Sequence, residues 1–277
     1  MNQPIRSRLM IRLWLSACLM MLGLQAFAQE AIRVGGTGAG TILMQHLIDV
    51  YLNHYPKRQV SAVMPPMGSD GGLRALSAGA IQVAVISLPP APEESASFQI
   101  TPWLTTPLVF TGKNVASGTQ LTVTSVSDIF SGQTTRWADG TAIRIILRSE
   151  RETDTKRLRA YASSLDTAIT NAHKRLGIIV ADNDVENLTR LEQTPGSFGT
   201  VALGQLLLTK SPLKAAIFEG ATASTDTLSK GTYQLEKPFY LVSARNPNPA
   251  TQEFMKFLQS QDALRFAMHN GFIPLKP

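Results

Sequence analysis

Ile32-Arg33-Val34-Gly35-Gly36-Thr37-Gly38-Ala39-Gly40-Thr41, running straight into residues 42–55, is the stretch whose reading decides the fold. It reads as a short strand, a glycine-rich turn and a helix. Leu43, Leu47, Val50 and Tyr51 fall at i, i+4, i+7 and i+8, the helical spacing of a single buried face. Glycines at a strand-to-helix turn let the backbone approach a ligand closely. The first helical N–H groups lack partners and the helix dipole adds partial positive charge, so an anion fits there. Thr37 and Thr41 add hydroxyl donors, and the turn reads as half of an anion-binding site. The competing reading is that the glycines only pack helix against strand. The spacing is neither the G-x-G-x-x-G of a dinucleotide fold nor a P-loop.

Working outward, residues 1–28 read as a secretory signal. Arg6, Arg8 and Arg12 form a basic start, residues 13–24 an apolar run, and Ala26-Phe27-Ala28 a small-x-small cleavage site. Leu15-Ser16-Ala17-Cys18 resembles a lipoprotein cleavage box, but the apolar run before its cysteine is short. Cleavage after Ala28 leaves roughly 250 residues, enough for one large or two small domains. The only cysteine, Cys18, leaves with the signal, so disulfides, thiolate metal sites and a cysteine nucleophile are excluded from the mature chain. Loss of three arginines lowers the formal charge from +6 to about +3, too little to suggest a nucleic-acid partner.

From Ala31 onward strand and helix patterns alternate, which predicts an α/β protein with mostly parallel strands. Further strands are expected at 60–64, 81–86, 143–147, 177–180, 197–201 and 239–242. Residues 101–110, with Pro102 and Pro107, read as crossover strands to another lobe, and 213–218 as a return strand. Helices are expected over 73–78 and 125–130, and after Thr153 or Asp154 as N-cap, with Leu158, Tyr161 and Leu165 inward. Asn248-Pro249 opens another by cap and N1 proline. Three strand ends carry Gly, Ser or Thr at their carboxyl tips, where open α/β sheets bind ligands. Arg148, at such a tip, has the fork geometry that grips an oxyanion in two places.

Taken together, the landmarks resemble the substrate-binding proteins of phosphate-type ABC transporters. The carriers are the first turn, Gly68-Ser69-Asp70-Gly71-Gly72, Asp128-Ile129-Phe130-Ser131-Gly132 with Trp137, Arg148 with its Ser/Thr-rich continuation, Gly196-Ser197-Phe198-Gly199 and Asn270-Gly271-Phe272-Ile273-Pro274-Leu275. The resemblance implies a two-lobed type II periplasmic binding protein, each lobe a mostly parallel sheet flanked by helices, joined by two crossovers. Lobe one would comprise 29–105 and 221–277, and lobe two 106–220. The anion would lie in the cleft, held by Thr37, Gly38, Gly40 and Thr41 of the first turn, Ser69 and Gly71 of the second, Ser87 at the third strand end, and Arg148 with Thr153 and Thr155. Ser87 stands where the family usually has an aspartate that accepts the proton of hydrogen phosphate. Asp70 and Asp154 replace a serine and a glycine of the family pattern. Either carboxylate could substitute for the missing acceptor or repel the anion.

No enzyme signature is complete. Met67-Gly68-Ser69-Asp70-Gly71 lacks the first glycine of a nucleophile elbow, and His46, His54, His173 and His269 show no metal-ligand spacing. The expectation is therefore a periplasmic, monomeric, non-catalytic protein without cofactor or metal. It would capture a small oxyanion, phosphate first, by hinge closure, and deliver it to an ABC permease. The alternative is the same fold reused as a sensor or adhesion module.

Overall fold

The computed structural model describes residues 31–89 and 96–275. The signal reading and Cys18 lie outside the described residues. The opening stretch forms strand β1 (Ile32–Gly36) and helix α1 (Gly38–His54). Leu43, Leu47 and Tyr51 are fully buried, joined by Met44 and Ile48, while Val50 is half-buried at the margin of that face. β1 lies between β2 (Val60–Ala62) and β3 (Val83–Ile86), parallel to both. The unbroken apolar run Val83-Ala84-Val85-Ile86 is fully buried, as a strand covered on both faces requires.

β4 (Phe98–Thr111) is the spine of the molecule. Its first part pairs antiparallel with β10 (Glu236–Ala244), and residues 108–111 pair antiparallel with β8 (Ser197–Ala202). β6 (Arg144–Arg148) runs parallel to β8 and to β7 (Ile179–Ala181). The order across the sheet is β2-β1-β3-β10-β4-β8-β6-β7, with β11 (Ile273–Pro274) added on β4. The sheet is thus parallel at both ends and antiparallel in the middle. β5 (Gln120–Leu121) and β9 (Ile217–Phe218) form a separate parallel pair.

Apolar side chains gather into two large clusters. One holds Phe110, Phe130, Leu165, Phe198 and Phe218; the other holds Leu43, Leu47, Tyr51, Phe239, Phe254 and Phe272. β4 serves both, giving Leu104 to the second and Leu108–Phe110 to the first. A smaller cluster of Leu76, Ile81, Ala84, Ile86 and Val242 covers the other face of β3. The architecture is the expected mixed α/β fold, a central sheet flanked by helices.

Five local readings are corrected. Residues 101–110 are not several crossover strands but part of the single strand β4, in which a register slip falls beside Pro102 while Pro107 pairs in register with Glu236. Leu104 faces Phe239 and Pro102 faces Tyr240, so Trp103 has no ladder partner and its indole N–H donates to the Leu258 carbonyl at 2.9 Å. The expected return strand at 213–218 shrinks to β9, whose ladder partner is β5, and the chain returns through β10 instead. The glycine-rich 68–72 segment is not a loop before a helix. It is the first turn and a half of α2 (Gly68–Ser77), with Gly72 close against Gly36. The helix expected through Leu158 and Leu165 is two, α4 (Thr153–Tyr161) and α5 (Ser163–His173), broken where Ala162 is extended at φ −155°. Its N-cap is Glu152, not Thr153 or Asp154.

Candidate functional site

The carboxyl ends of β1, β3, β6 and β7 and the start of β10 bring five charged side chains into one buried cluster. Arg148 closes β6 and is 4 % exposed; Lys237, on β10 opposite Thr106, is 1 % exposed. Asp184, the first residue of α6 (Asp184–Gln193), is 2 % exposed, as is Asp154 in the first turn of α4. Lys237 Nζ lies 2.7 Å from Asp154 Oδ1 and 2.8 Å from Asp184 Oδ1. Arg148 Nη2 lies 2.9 Å from Glu152 Oε2 and 3.4 Å from Asp184 Oδ1.

The other oxygen of Asp184 turns to the opening stretch. Thr37 Oγ1 donates to Asp184 Oδ2 at 3.0 Å, and the Ala39 N–H donates to the same atom at 2.9 Å. Thr37 occupies the N-cap position of α1 but makes no side-chain cap. Its hydroxyl is spent on Asp184 instead. A carboxylate from 147 residues away therefore fills the position that partnerless amides and the helix dipole make favourable for an anion. Gly38 permits the approach: a Cβ there would stand 2.7 Å from Asp184 Cβ.

Burial and pairing oppose each other throughout the cluster. Burial alone would push the Asp184 carboxyl upward, but Lys237, Arg148 and the Ala39 amide outweigh it and hold Asp184 well below the usual carboxylate range. Burial works against the charge of Arg148 too, and Asp184, Asp154 and Glu152 more than offset it. Lys237 is likewise raised, because Asp154 and Asp184 outweigh its desolvation. Glu152 goes the other way. Its burial raises it despite Arg148, and Asp184 adds to the rise. Two cations thus face three carboxylates, of which Glu152 is shifted toward its protonated form and Asp184 away from it.

Not every donor is used. Among the described residues, Arg148 Nε and Nη1 and Ser87 Oγ are buried without a hydrogen-bond partner. The Ser87 N–H donates to Ser69 Oγ at 3.1 Å, tying the tip of β3 to α2. Thr155 Oγ1 donates to the Arg148 carbonyl at 3.1 Å. A cavity of about 240 Å³ runs alongside, lined among others by Ser69, Asp70, Gly71, Arg74, Glu152 and Thr153.

Of the residues singled out in the sequence, Thr37, Gly38 and Arg148 meet at Asp184, and Thr155 meets Arg148. Ser69, Gly71 and Thr153 line the adjoining cavity, with Ser87 bonded to Ser69. Gly40 and Thr41 are placed otherwise. A Cβ on Gly40 would lie 2.5 Å from a Val85 methyl, so this glycine serves helix-on-strand packing, and Thr41 Oγ1 donates to the Thr37 carbonyl within its own helix. Asp184 and Lys237 were not legible as site residues. The signal for Asp184 is its place just past a strand end, the same rule that picked out Arg148; Lys237 carries no such signal.

Residues 24–262 match the sequence profile of the PBP superfamily domain. Phosphate-binding protein PstS 2 of Streptococcus pneumoniae is 34 % identical over 98 residues, which are 35 % of this chain. That matched stretch spans 33 % of the length of the relative. Among solved structures, a Clostridium perfringens protein described as a candidate phosphate ABC transporter substrate-binding protein, with phosphate bound, superposes with TM-score 0.74 at 14 % identity. The superposition covers 89 % of this chain and 100 % of that one. An ABC-type phosphate transport receptor from Vibrio cholerae gives 0.62 at 20 % identity, covering 88 % and 100 %. At these identities the likeness to the solved structures is one of fold. Among the described residues no helix is long and apolar enough to cross a membrane.

Proposed function

The chain belongs to the PBP superfamily, and from that premise we propose that it is an extracytoplasmic solute-binding protein that captures a small oxyanion, phosphate first, for an ABC permease. One observation carries the reading. Arg148 is almost wholly buried, yet its Nε and Nη1 find no acceptor among the described residues. A buried guanidinium with two unused donors is costly unless a ligand completes it, and its planar fork suits an oxyanion. Ser87 Oγ, equally buried and unpartnered, is a further donor, and Ser69 and Thr153 line the cavity beside it. The phosphate-binding relatives lend the choice of phosphate its support.

In this reading the two halves of the chain, divided near residues 105 and 220, close on the ion by hinge motion, and selectivity follows from leaving no buried donor or acceptor unpaired. The protein works as a monomer outside the cytoplasm and has no catalytic role. Calorimetry of the mature chain with phosphate, sulfate, arsenate and molybdate tests it. Phosphate is expected to bind with Kd below about 1 mM, and Arg148→Lys, which removes the fork, to lose most of that affinity. Absence of binding tighter than about 1 mM to every one of these ions refutes the proposal.

A further inference from the structure

We propose that the Asp184 carboxylate is a tethered surrogate anion, occupying the first-turn half of the binding site so that a free oxyanion enters only by displacing it. The inference deepens the oxyanion reading and rests on it.

Each Asp184 oxygen is held by two donors. Oδ1 faces Lys237 Nζ at 2.8 Å and Arg148 Nη2 at 3.4 Å; Oδ2 accepts from Thr37 Oγ1 at 3.0 Å and the Ala39 N–H at 2.9 Å. Two main-chain or hydroxyl donors from a helix N-terminus and two cations are the donor set an oxyanion would require. The carboxylate is buried and ionised, so it is a resident charge rather than a passing contact. Its backbone is fixed, because it opens α6 directly after Asn183, whose Oδ1 accepts from the Val185 and Glu186 amides. At position 38 only a glycine leaves it room.

Charge arithmetic favours exchange over addition. Arg148 and Lys237 already face Asp154, Asp184 and Glu152. A phosphate dianion placed among them with Asp184 still present would add like charge in a buried site, where such repulsion is strongest. Moving Asp184 out removes one of the competing negative charges, so exchange is less repulsive than addition, and it frees Thr37, Ala39 and the Arg148 Nη2 edge together. This separates the proposal from the other role a carboxylate could have here, that of accepting the proton of hydrogen phosphate. An acceptor helps binding, whereas a surrogate competes with it.

The test compares the wild-type chain with Asp184→Ala and Asp184→Asn by calorimetric titration with phosphate and by thermal unfolding with and without formate. Two cations and two carboxylates remain in either variant, so neither cation is left without a partner, and the Asn variant keeps the shape of the side chain should the Ala variant fail to fold. Phosphate is expected to bind Asp184→Ala at least tenfold more tightly than wild type, and Asp184→Asn in the same direction by less. Equal or weaker phosphate binding in the variants than in a wild type that does bind overturns the proposal. Formate, a free carboxylate of the right size, is expected to raise the Tm of Asp184→Ala and leave wild type unmoved; equal shifts overturn it. If no form binds phosphate while formate still protects Asp184→Ala, the surrogate stands and the oxyanion reading fails.

Discussion

Lys237 is the residue on which the buried cluster most depends for balance, and replacing it by methionine gives the sharpest stability prediction. Methionine has nearly the same length and no charge, so packing is disturbed little while the ion pairs to Asp154 at 2.7 Å and Asp184 at 2.8 Å vanish. Three carboxylates are then left with Arg148 alone. Removing one partner of a buried pair typically costs about 3–5 kcal/mol, since the survivor keeps its desolvation penalty without its compensation. For a chain of this size about 2–4 °C of Tm corresponds to each kcal/mol, so a fall of about 6–20 °C is expected. The variant should recover part of this loss as pH is lowered, because carboxylates deprived of their cation take up protons more readily in the folded state than in the unfolded one. Asp154→Asn in the Lys237→Met background should also restore stability, since it removes one of the orphaned charges. Urea and thermal unfolding of the three proteins at neutral and mildly acid pH measure all of this. A Lys237→Met protein within about 1 kcal/mol of wild type, with an unchanged pH profile, would refute the view that this lysine is held by its charges.

The remaining expectations concern the same region. Asp184 is held below its ordinary value of 3.8, so its contribution to stability is complete above that pH and is lost as pH falls through the lower native value; urea midpoints should fall as pH is lowered below about 4, and Asp184→Asn should flatten that acid limb. Glu152, raised above 4.5, has the opposite sign, favouring the fold below that pH and ceasing to as pH rises through its native value, so Glu152→Gln should remove a small loss of stability on the neutral side. Gly36→Ala should cost about 3–5 kcal/mol, because φ is +137° and the new Cβ would stand 2.0 Å from the Val85 carbonyl oxygen. Ser87→Ala should leave ligand-free stability unchanged or raise it by up to about 1 kcal/mol, since its buried hydroxyl has no partner, yet weaken phosphate binding in calorimetry.

Much of the fold was legible because local periodicity and burial agree. The i, i+4, i+8 face of α1 and the continuous apolar β3 needed no tertiary information, and Asn248 caps α9 (Pro249–Leu258) by accepting from the Thr251 amide at 2.7 Å. The strand and helix breaks that failed are those set by partners. Nothing within residues 213–218 says that only the last two residues find a ladder, and the extended Ala162 that divides α4 from α5 carries no glycine or proline. The charged site was legible by halves. Arg148 and Thr37 sit at strand tips, where a rule points to them. Asp184 is disguised by its neighbour, since Asn183 makes so complete an N-cap that the polar run 182–184 is already explained. Lys237 stands beside Glu236 and Pro238 and reads as a solvated loop residue. It is buried only because two carboxylates from distant segments come to it, and no window of sequence contains that fact.

The two readings of the first-turn glycines turn out to be complementary. Gly36 and Gly40 stand against Val85, where close packing admits no side chain, while Gly38 stands against Asp184. A helix N-terminus set into a sheet edge needs the first two for its position and, once positioned, calls for a negative charge at the third. On the exchange reading, the affinity for a free ion is then a difference between two anions at one place, not the strength of either. A carboxylate has two oxygens, and all of its reach is used on Thr37, Ala39, Lys237 and Arg148 Nη2. Arg148 Nε, Arg148 Nη1 and Ser87 Oγ stay unpaired beside it. A tetrahedral ion has four oxygens, so it can replace Asp184 on the first set of donors and engage the second as well. The surplus that lets an oxyanion win the exchange therefore lies in the donors the resident carboxylate leaves idle. A planar monocarboxylate, lacking that surplus, gains nothing over Asp184 and should bind the wild-type chain poorly at any concentration where phosphate binds.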